Sequence, residues 1–171
     1  MTKNVHYEQL GRFVVAFQNV DSTLTELLVD ITNVDDEIID ILATNLDYSK
    51  RVMAADVLFA RFVDVRRNTD VALKAQFHKL MSHLLKLGER RNELVHSTYT
   101  VYTSVEGVTG LMRQNSKLKG KKGVREINEE ILSAEHLDKD LQCLNNVAIS
   151  LEEFRQKIIH IESSFGEPHA I

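Results

Sequence analysis

Apolar residues recur at intervals of three and four along most of the chain, which is the spacing of one face of an α-helix. This pattern predicts helices over His6 to Thr32 and over Asp35 to Leu46, and a third from a Ser49 cap to about Arg67. A fourth helix is predicted from near Asp70 to His96 or Ser97, and a fifth of about 28 residues begins at Ser133. Together these segments predict an all-α fold, a helical bundle of about five helices.

The helical spacing of apolar residues ends near residue 97. Residues 98–105 are rich in β-branched and aromatic side chains, and residues 108–113 can pair with them after a turn at Gly107, which predicts a β-hairpin. Residues 114–125 have no apolar period and predict a mobile basic loop, so that hairpin and loop occupy about 98–125, before the last helix. A chain of 171 residues is expected to form a single domain over residues 1–171.

Composition excludes several classes of protein. Cys143 is the only cysteine, so neither an intramolecular disulfide nor a cysteine-based zinc cluster can form. No apolar run reaches the length of a membrane span and no signal peptide is recognised, so we expect a cytoplasmic protein without membrane contact. His78 and His83 do not share a helix face, and no phosphate-binding loop or metal-ligand cluster appears, so no metal and no cofactor is predicted.

Charge is distributed unevenly along the chain. Residues 111–126 carry six basic side chains and one acid, a net charge of +5, which leaves −9 on the rest. Such a segment would attract a polyanion, with Tyr99 or Tyr102 stacking on unpaired bases. The basic residues expected to contact RNA are Lys117, Lys119, Lys121, Lys122 and Arg125. A solvated linker and a dimerisation element are the alternatives for this region.

The predicted fourth helix ends in a cluster of polar residues. Its apolar stripe continues by helical spacing to position 91, so Arg91 occupies a place expected for a core residue. A charge there is costly unless it is paired. Asn92 and His96 are four residues apart and therefore lie on one face. We expect the three side chains to converge, although Arg91 could instead extend to an acid such as Glu93, and His96 could act only on the helix dipole.

The segment Arg91-Asn92-Glu93-Leu94-Val95-His96 resembles the Arg-x4-6-His motif of the HEPN superfamily (higher eukaryotes and prokaryotes nucleotide-binding domain). Members are all-α bundles that commonly dimerise with the two motifs facing each other, and many are metal-independent endoribonucleases. The resemblance implies a homodimer, an RNA substrate and catalytic roles for Arg91, Asn92 and His96. It also implies a toxin-antitoxin or phage-defence setting, with an antitoxin or regulatory protein as partner.

Two details limit what the resemblance carries over. In a toxin branch of the family the motif continues to a tyrosine two residues after the histidine, but here that position is Thr98, and Tyr99 follows one residue later. Modification of that tyrosine is therefore not carried over. Arg155 and His160 also fit the spacing, but Arg155 lacks an adjacent asparagine and a place in an apolar stripe.

The predicted chemistry needs no metal because RNA supplies its own nucleophile, the 2′-hydroxyl. His96 would take the proton of that hydroxyl, Arg91 would stabilise charge on the phosphate, and Asn92 would hold the imidazole or the phosphate. The expected products are a 2′,3′-cyclic phosphate and a 5′-hydroxyl. The alternative functions are a non-catalytic HEPN-like dimer that binds nucleotide, RNA or a protein partner, and a structural protein whose polar cluster fixes dimer register.

Overall fold

The computed structural model describes residues 5–66, 70, 72–107, 109–119 and 123–165, without the side chains of residues 117–119 and 164–165. Within them the chain forms five helices, α1 (Val5–Thr32), α2 (Asp36–Thr44), α3 (Tyr48–Val65), α4 (Ala72–Val95) and α5 (Ala134–Phe165). Three strands lie between α4 and α5, namely β1 (Thr98–Thr103), β2 (Thr109–Lys119) and β3 (Val124–Leu132). The prediction of a largely helical chain is confirmed. None of the described helices is long and apolar enough to cross a membrane.

Local side chains set the helix ends. Asp47 is the N-cap of α3, where its carboxylate accepts the backbone N–H of Lys50 at 2.9 Å. This bond, together with side-chain bonds from Ser49 and Lys50, lowers the pKa of Asp47 to about 2. The predicted cap at Ser49 is wrong: Ser49 lies in the first turn and donates its hydroxyl to Asp47 at 2.8 Å. At the end of α1, Asn33 has a φ of 50° and donates its N–H to the carbonyl of Val29 at 2.8 Å.

The strands form one antiparallel sheet in the order β1-β2-β3. The predicted pairing of β1 with the following strand is confirmed, but a third strand is added: residues 111–119 of β2 pair with residues 124–132 of β3. The predicted mobile loop is therefore wrong for residues 114–119 and 124–125. Gln114 lies opposite Glu129 and Asn115 opposite Asn128, so backbone bonds and polar cross-strand pairs hold these strands without any apolar alternation.

The described residues fall into two compact units. Unit 1 comprises Met1–Phe17 and Glu89–Asn145, and unit 2 comprises Gln18–Gly88 and Asn146–Ile171. The sheet belongs to unit 1, whose buried apolar residues are Phe13, Phe17, Leu94, Leu111, Leu132, Leu137 and Leu144. In unit 2 the ring of Phe59 stacks on Phe77 with centroids 4.1 Å apart, and Phe154 packs edge-on against both. The single-domain organisation stays a prediction.

Gly88 lies in α4 against the ring of Tyr48, within unit 2. The hydroxyl of Tyr48 donates to the carbonyl of Leu84 at 3.1 Å, which fixes the ring in place. A Cβ added at Gly88 would lie 2.6 Å from Cε1 of that ring. Gly11 in α1 is the opposite case, because an added Cβ would meet no atom within 4 Å among those described. Both glycines lie in helices, and only Gly88 has a close neighbour, so substitution of the two tests the effect of packing against Tyr48.

We expect Gly88→Ala to lower the free energy of unfolding by about 1 to 2 kcal/mol, because overpacking against Tyr48 outweighs the better helix propensity of alanine. Gly11→Ala should instead raise it by about 0.5 to 1 kcal/mol. Urea denaturation of both variants checks the difference. A Gly88→Ala protein more stable than the parent would show that Tyr48 moves aside without cost.

Candidate functional site

The residues of the predicted motif lie at the C-terminal end of α4. The backbone N–H of His96 donates to the carbonyl of Asn92 at 3.0 Å, so His96 closes the last turn of the helix. Asn92 and His96 are exposed, and Arg91 is half-buried. The expectation of a core position for Arg91 is therefore met only in part, since its side chain lies at the border between the interior and solvent.

Arg91 has no acidic partner among the described residues. Its Nη1 donates to Oδ1 of Asn92 at 3.0 Å, and its guanidinium carbon lies 5.7 Å from the centre of the Phe17 ring. The predicted alternative of a pair with Glu93 is not found: the ion pairs of Glu93 are with Arg90 and Arg113, each at 3.7 Å. The positive charge of Arg91 is thus not neutralised by any carboxylate within the described part of the chain.

The three side chains converge only partly. Arg91 and Asn92 are hydrogen-bonded to each other, whereas the imidazole of His96 forms no hydrogen bond or ion pair with the described residues. His96 is joined to Asn92 through the backbone alone. Its place is consequently set by the end of the helix and not by partners of its ring.

A partly buried ionic network that the sequence did not reveal lies beside the motif. Glu130 of β3 accepts hydrogen bonds from Nη1 and Nη2 of Arg90 at 2.8 and 3.0 Å. The same carboxylate accepts from Nε of Arg113 at 2.9 Å, and Arg113 is only 5% exposed. Asp140 of α5 adds a bond to Nη2 of Arg90 at 2.7 Å. We call these four residues the Glu130 network; it joins α4, β2, β3 and α5.

The Glu130 network is held in its charged form. Burial opposes the charge of Arg90, but its bonds to Glu130 and Asp140 outweigh burial and raise the pKa of Arg90. Burial is also the largest single effect on Glu130 and acts to raise its pKa, but the hydrogen bonds and charges of Arg90 and Arg113 together outweigh it, so the pKa of Glu130 lies below its ordinary value. Glu93 adds a third carboxylate, 3.7 Å from Arg90 and from Arg113, so the acids around these two arginines outnumber them.

Three side-chain donors cap the end of α4. The hydroxyl of Tyr99 donates to the carbonyl of Leu94 at 2.5 Å, and Nη1 of Arg113 donates to the carbonyl of Glu93 at 3.3 Å. Ser97 also donates its hydroxyl to the carbonyl of Glu93. Tyr99, predicted to stack on RNA bases, is thus half-buried with its hydroxyl engaged, and burial raises its pKa. A stacking role for its ring stays a prediction.

Among the predicted RNA-binding residues, Arg125 lies exposed in β3. Lys117 and Lys119 lie in β2, opposite Glu126 and Val124 respectively, but their side chains lie outside the described part. Lys121 and Lys122 fall outside the described residues altogether. Beyond the last pair with β1, residues 115–119 and 124–128 form a two-stranded ribbon. Of the predicted basic residues, Lys117, Lys119 and Arg125 therefore belong to this ribbon.

Arg155 and His160 also fit the motif spacing, but Arg155 is held in ion pairs. Arg155 lies on α5 and pairs with Asp30 at 2.7 Å, Glu26 at 2.6 Å and Glu152 at 3.4 Å. Its charge is more than neutralised, unlike that of Arg91. The described residues contain no group of three or more histidine, cysteine or acidic side chains arranged to hold a metal ion.

Comparison of the whole chain with protein-family models, with curated proteins and with solved structures found no match. The resemblance to the HEPN superfamily is therefore carried by the six-residue motif and the helical pattern. Any assignment of function depends on the geometry around Arg91.

We expect Glu130→Gln to lower the free energy of unfolding near pH 7 by about 2 to 3 kcal/mol, because two guanidinium groups lose their shared carboxylate. Since folding lowers the pKa of Glu130, its stabilisation is complete above the ordinary value of 4.5 and is lost as the pH falls towards the folded pKa. The variant should therefore lose less stability on acidification than the parent. Urea denaturation between pH 7 and 3 measures this.

The matched control is Glu129→Gln. Glu129 neighbours Glu130 on the same strand but is exposed and hydrogen-bonded to Gln114. Its replacement should change stability by less than about 0.5 kcal/mol. Equal losses in the two variants would contradict a special role for Glu130.

Proposed function

We propose that this protein is a metal-independent endoribonuclease of the HEPN type, acting in a toxin-antitoxin or phage-defence setting. The observation that carries the proposal is the contrast between adjacent arginines at the end of α4. Arg90 is neutralised by Glu130 and Asp140, whereas Arg91 has no carboxylate partner among the described residues and lies next to exposed Asn92. A guanidinium kept free of acids is suited to binding a phosphate.

The reaction follows from the residue types. The imidazole of His96 takes the proton of an RNA 2′-hydroxyl, whose oxygen attacks the adjacent phosphorus. Arg91 stabilises the charge that develops on the phosphate oxygens. The bond to the 5′-oxygen breaks and that oxygen takes up a proton, which leaves a 2′,3′-cyclic phosphate and a 5′-hydroxyl. Asn92, hydrogen-bonded to Arg91 at 3.0 Å, orients the guanidinium.

One chain supplies one histidine at this end of α4, but the reaction needs a base and an acid. A symmetric homodimer that brings two copies of the motif together would supply both. The exposure of Asn92 and His96 is compatible with such an arrangement, since neither is covered within the described part of its own chain.

A non-catalytic module that binds nucleotide, RNA or a protein partner is the second candidate. The observation in its favour is that the imidazole of His96 forms no hydrogen bond with the described residues, whereas catalytic histidines are usually oriented by a partner. In this case Arg91 and His96 would contact a bound anion without reaction.

The basic residues near the tip of the ribbon are proposed to guide RNA. Arg125 is exposed, and its neighbours Val124 and Ile127 are exposed as well. Arg113, which also belongs to the basic segment of the sequence, is excluded from this role because Glu130 pairs with it. We assign RNA steering to the remaining five positions of the segment: Lys117, Lys119, Lys121, Lys122 and Arg125.

We expect His96→Ala to reduce cleavage of RNA by at least about a hundredfold while RNA affinity stays within about twofold, because the base acts in the transition state. The assay uses labelled RNA in EDTA, with analysis of the product ends. A product with a 2′,3′-cyclic phosphate supports the mechanism, and light scattering of the same sample reports the oligomeric state.

His160→Ala is the matched control, since His160 is also exposed on a helix and fits the same spacing after Arg155. It should cleave like the parent. If the parent binds RNA without cutting it, the binding module becomes the better assignment. Cleavage by a monomer would overturn the two-chain site.

Neutralising the five assigned basic residues should weaken RNA binding and reduce the slope of log affinity against log salt by about 2 to 3, because fewer counterions are released. Maximal turnover should fall much less than affinity, since these contacts exist equally in the ground and transition states. Filter binding at several salt concentrations measures both affinity and slope. The control removes five positive charges from exposed positions elsewhere: Arg12, Lys50, Lys79, Lys86 and Lys139. If both variants lose affinity equally, the ribbon has no special role.

A further inference from the structure

The end of α4 is unusual in how its carbonyl groups are satisfied. The last carbonyls of a helix have no partner within the helix and are often left to water. Here the carbonyl of Asn92 accepts the N–H of His96, that of Glu93 accepts from Arg113 and Ser97, and that of Leu94 accepts from Tyr99. Side chains of β1 and β2 thus hold the turn that carries the motif.

The donors are themselves fixed. Arg113 is 5% exposed, and Glu130 accepts from its Nε at 2.9 Å and lies 2.7 Å from its Nη2. Tyr99 lies opposite Arg113 in the register of β1 and β2. Both donors therefore act from adjacent positions of the sheet on adjacent carbonyls of one helix turn.

This arrangement matters most for His96. Its imidazole forms no hydrogen bond with the described residues, so the location of the ring depends on the backbone of residues 92–97. We infer that Tyr99, through its hydroxyl, and Arg113, held by Glu130, are positioning residues that fix His96 by capping the last turn of α4. An effect of this capping on RNA cleavage depends on the proposed function, but its effect on the backbone at His96 does not.

The capping role differs from the stacking role predicted for Tyr99 from sequence. Stacking on a base would need the face of the ring, whereas capping needs the hydroxyl, which already donates to Leu94. Tyr99→Phe keeps the ring and removes the hydroxyl, so it separates the two roles. Tyr7→Phe is the matched control, because Tyr7 lies on α1, outside the capping contacts, and is 47% exposed.

The first readout is hydrogen exchange of the His96 amide, which is protected by its bond to Asn92. Removing one capping bond should make this amide exchange about fivefold faster in Tyr99→Phe, because the last turn opens more often. Amides of β3 in unit 1 and of α3 in unit 2 should be unchanged, which excludes unfolding of either unit. Arg113→Lys keeps the charge but loses the planar fork, and it should accelerate the same amide.

The second readout is the kinetics of RNA cleavage. If the imidazole of His96 is displaced, proton transfer becomes less efficient. We therefore expect kcat to fall about tenfold in Tyr99→Phe while KM stays within about twofold of the parental value. Tyr7→Phe should match the parent in both readouts. A higher KM with unchanged kcat would overturn the inference and indicate contact of the Tyr99 hydroxyl with RNA.

The two readouts separate this inference from the proposed function. If the parent protein does not cleave RNA, the proposed function fails, and exchange of the His96 amide still decides whether Tyr99 and Arg113 fix the turn. If that amide exchanges at the parental rate in both Tyr99→Phe and Arg113→Lys, the inference is wrong whatever the activity.

Discussion

The carboxylate of Glu130, shared between Arg90 and Arg113, is the interaction on which the candidate site depends. Removing the carboxylate would leave the buried Arg113 without its acid, which is costly even where forming the pair contributes little net stability. Arg113 lies directly opposite Glu130 in the register of β2 and β3. A slip of β3 by one residue would move Glu130 to the other face of the sheet and leave Arg113 buried without its acid. The network therefore fixes strand register and helix position together.

The Glu130 network gives the neighbouring residues Arg90 and Arg91 different electrostatic environments. Consecutive residues of a helix point about 100° apart, so Arg90 faces the strands while Arg91 lies against Phe17 of α1. The acids near the end of α4 are engaged by Arg90 and Arg113, which is why Arg91 keeps an uncompensated charge among the described residues. Spacing to His96 alone does not distinguish Arg90 from Arg91. Their different partners do.

Sequence periodicity was sufficient for the long helices because each buries one continuous apolar stripe, as in α1 with Phe13, Phe17 and Leu24. It failed for β3, where only Leu132 is buried and the other residues are exposed or half-buried at the sheet edge. An edge strand needs no alternation of apolar residues, so its pairing partner alone defines it. The Glu130 network could not be predicted for the same reason. Arg113 and Glu130 come together only when β3 pairs with β2, and they are 17 residues apart in the sequence. Within α4, helical spacing alone indicates only that Arg90 and Glu93 are close.

The position of the candidate site at a helix C-terminus has an electrostatic consequence. Exposed carbonyls at such an end carry partial negative charge and repel a phosphate. Here Tyr99 and Arg113 donate to the carbonyls of Leu94 and Glu93, which removes two of these acceptors from solvent. Arg91 then supplies positive charge at the same end. The capping contacts thus have two physical effects on one turn. They fix the backbone at His96, and they reduce the repulsion between the carbonyl groups of the helix end and an anion. The end of α4 is thereby compatible with anion binding.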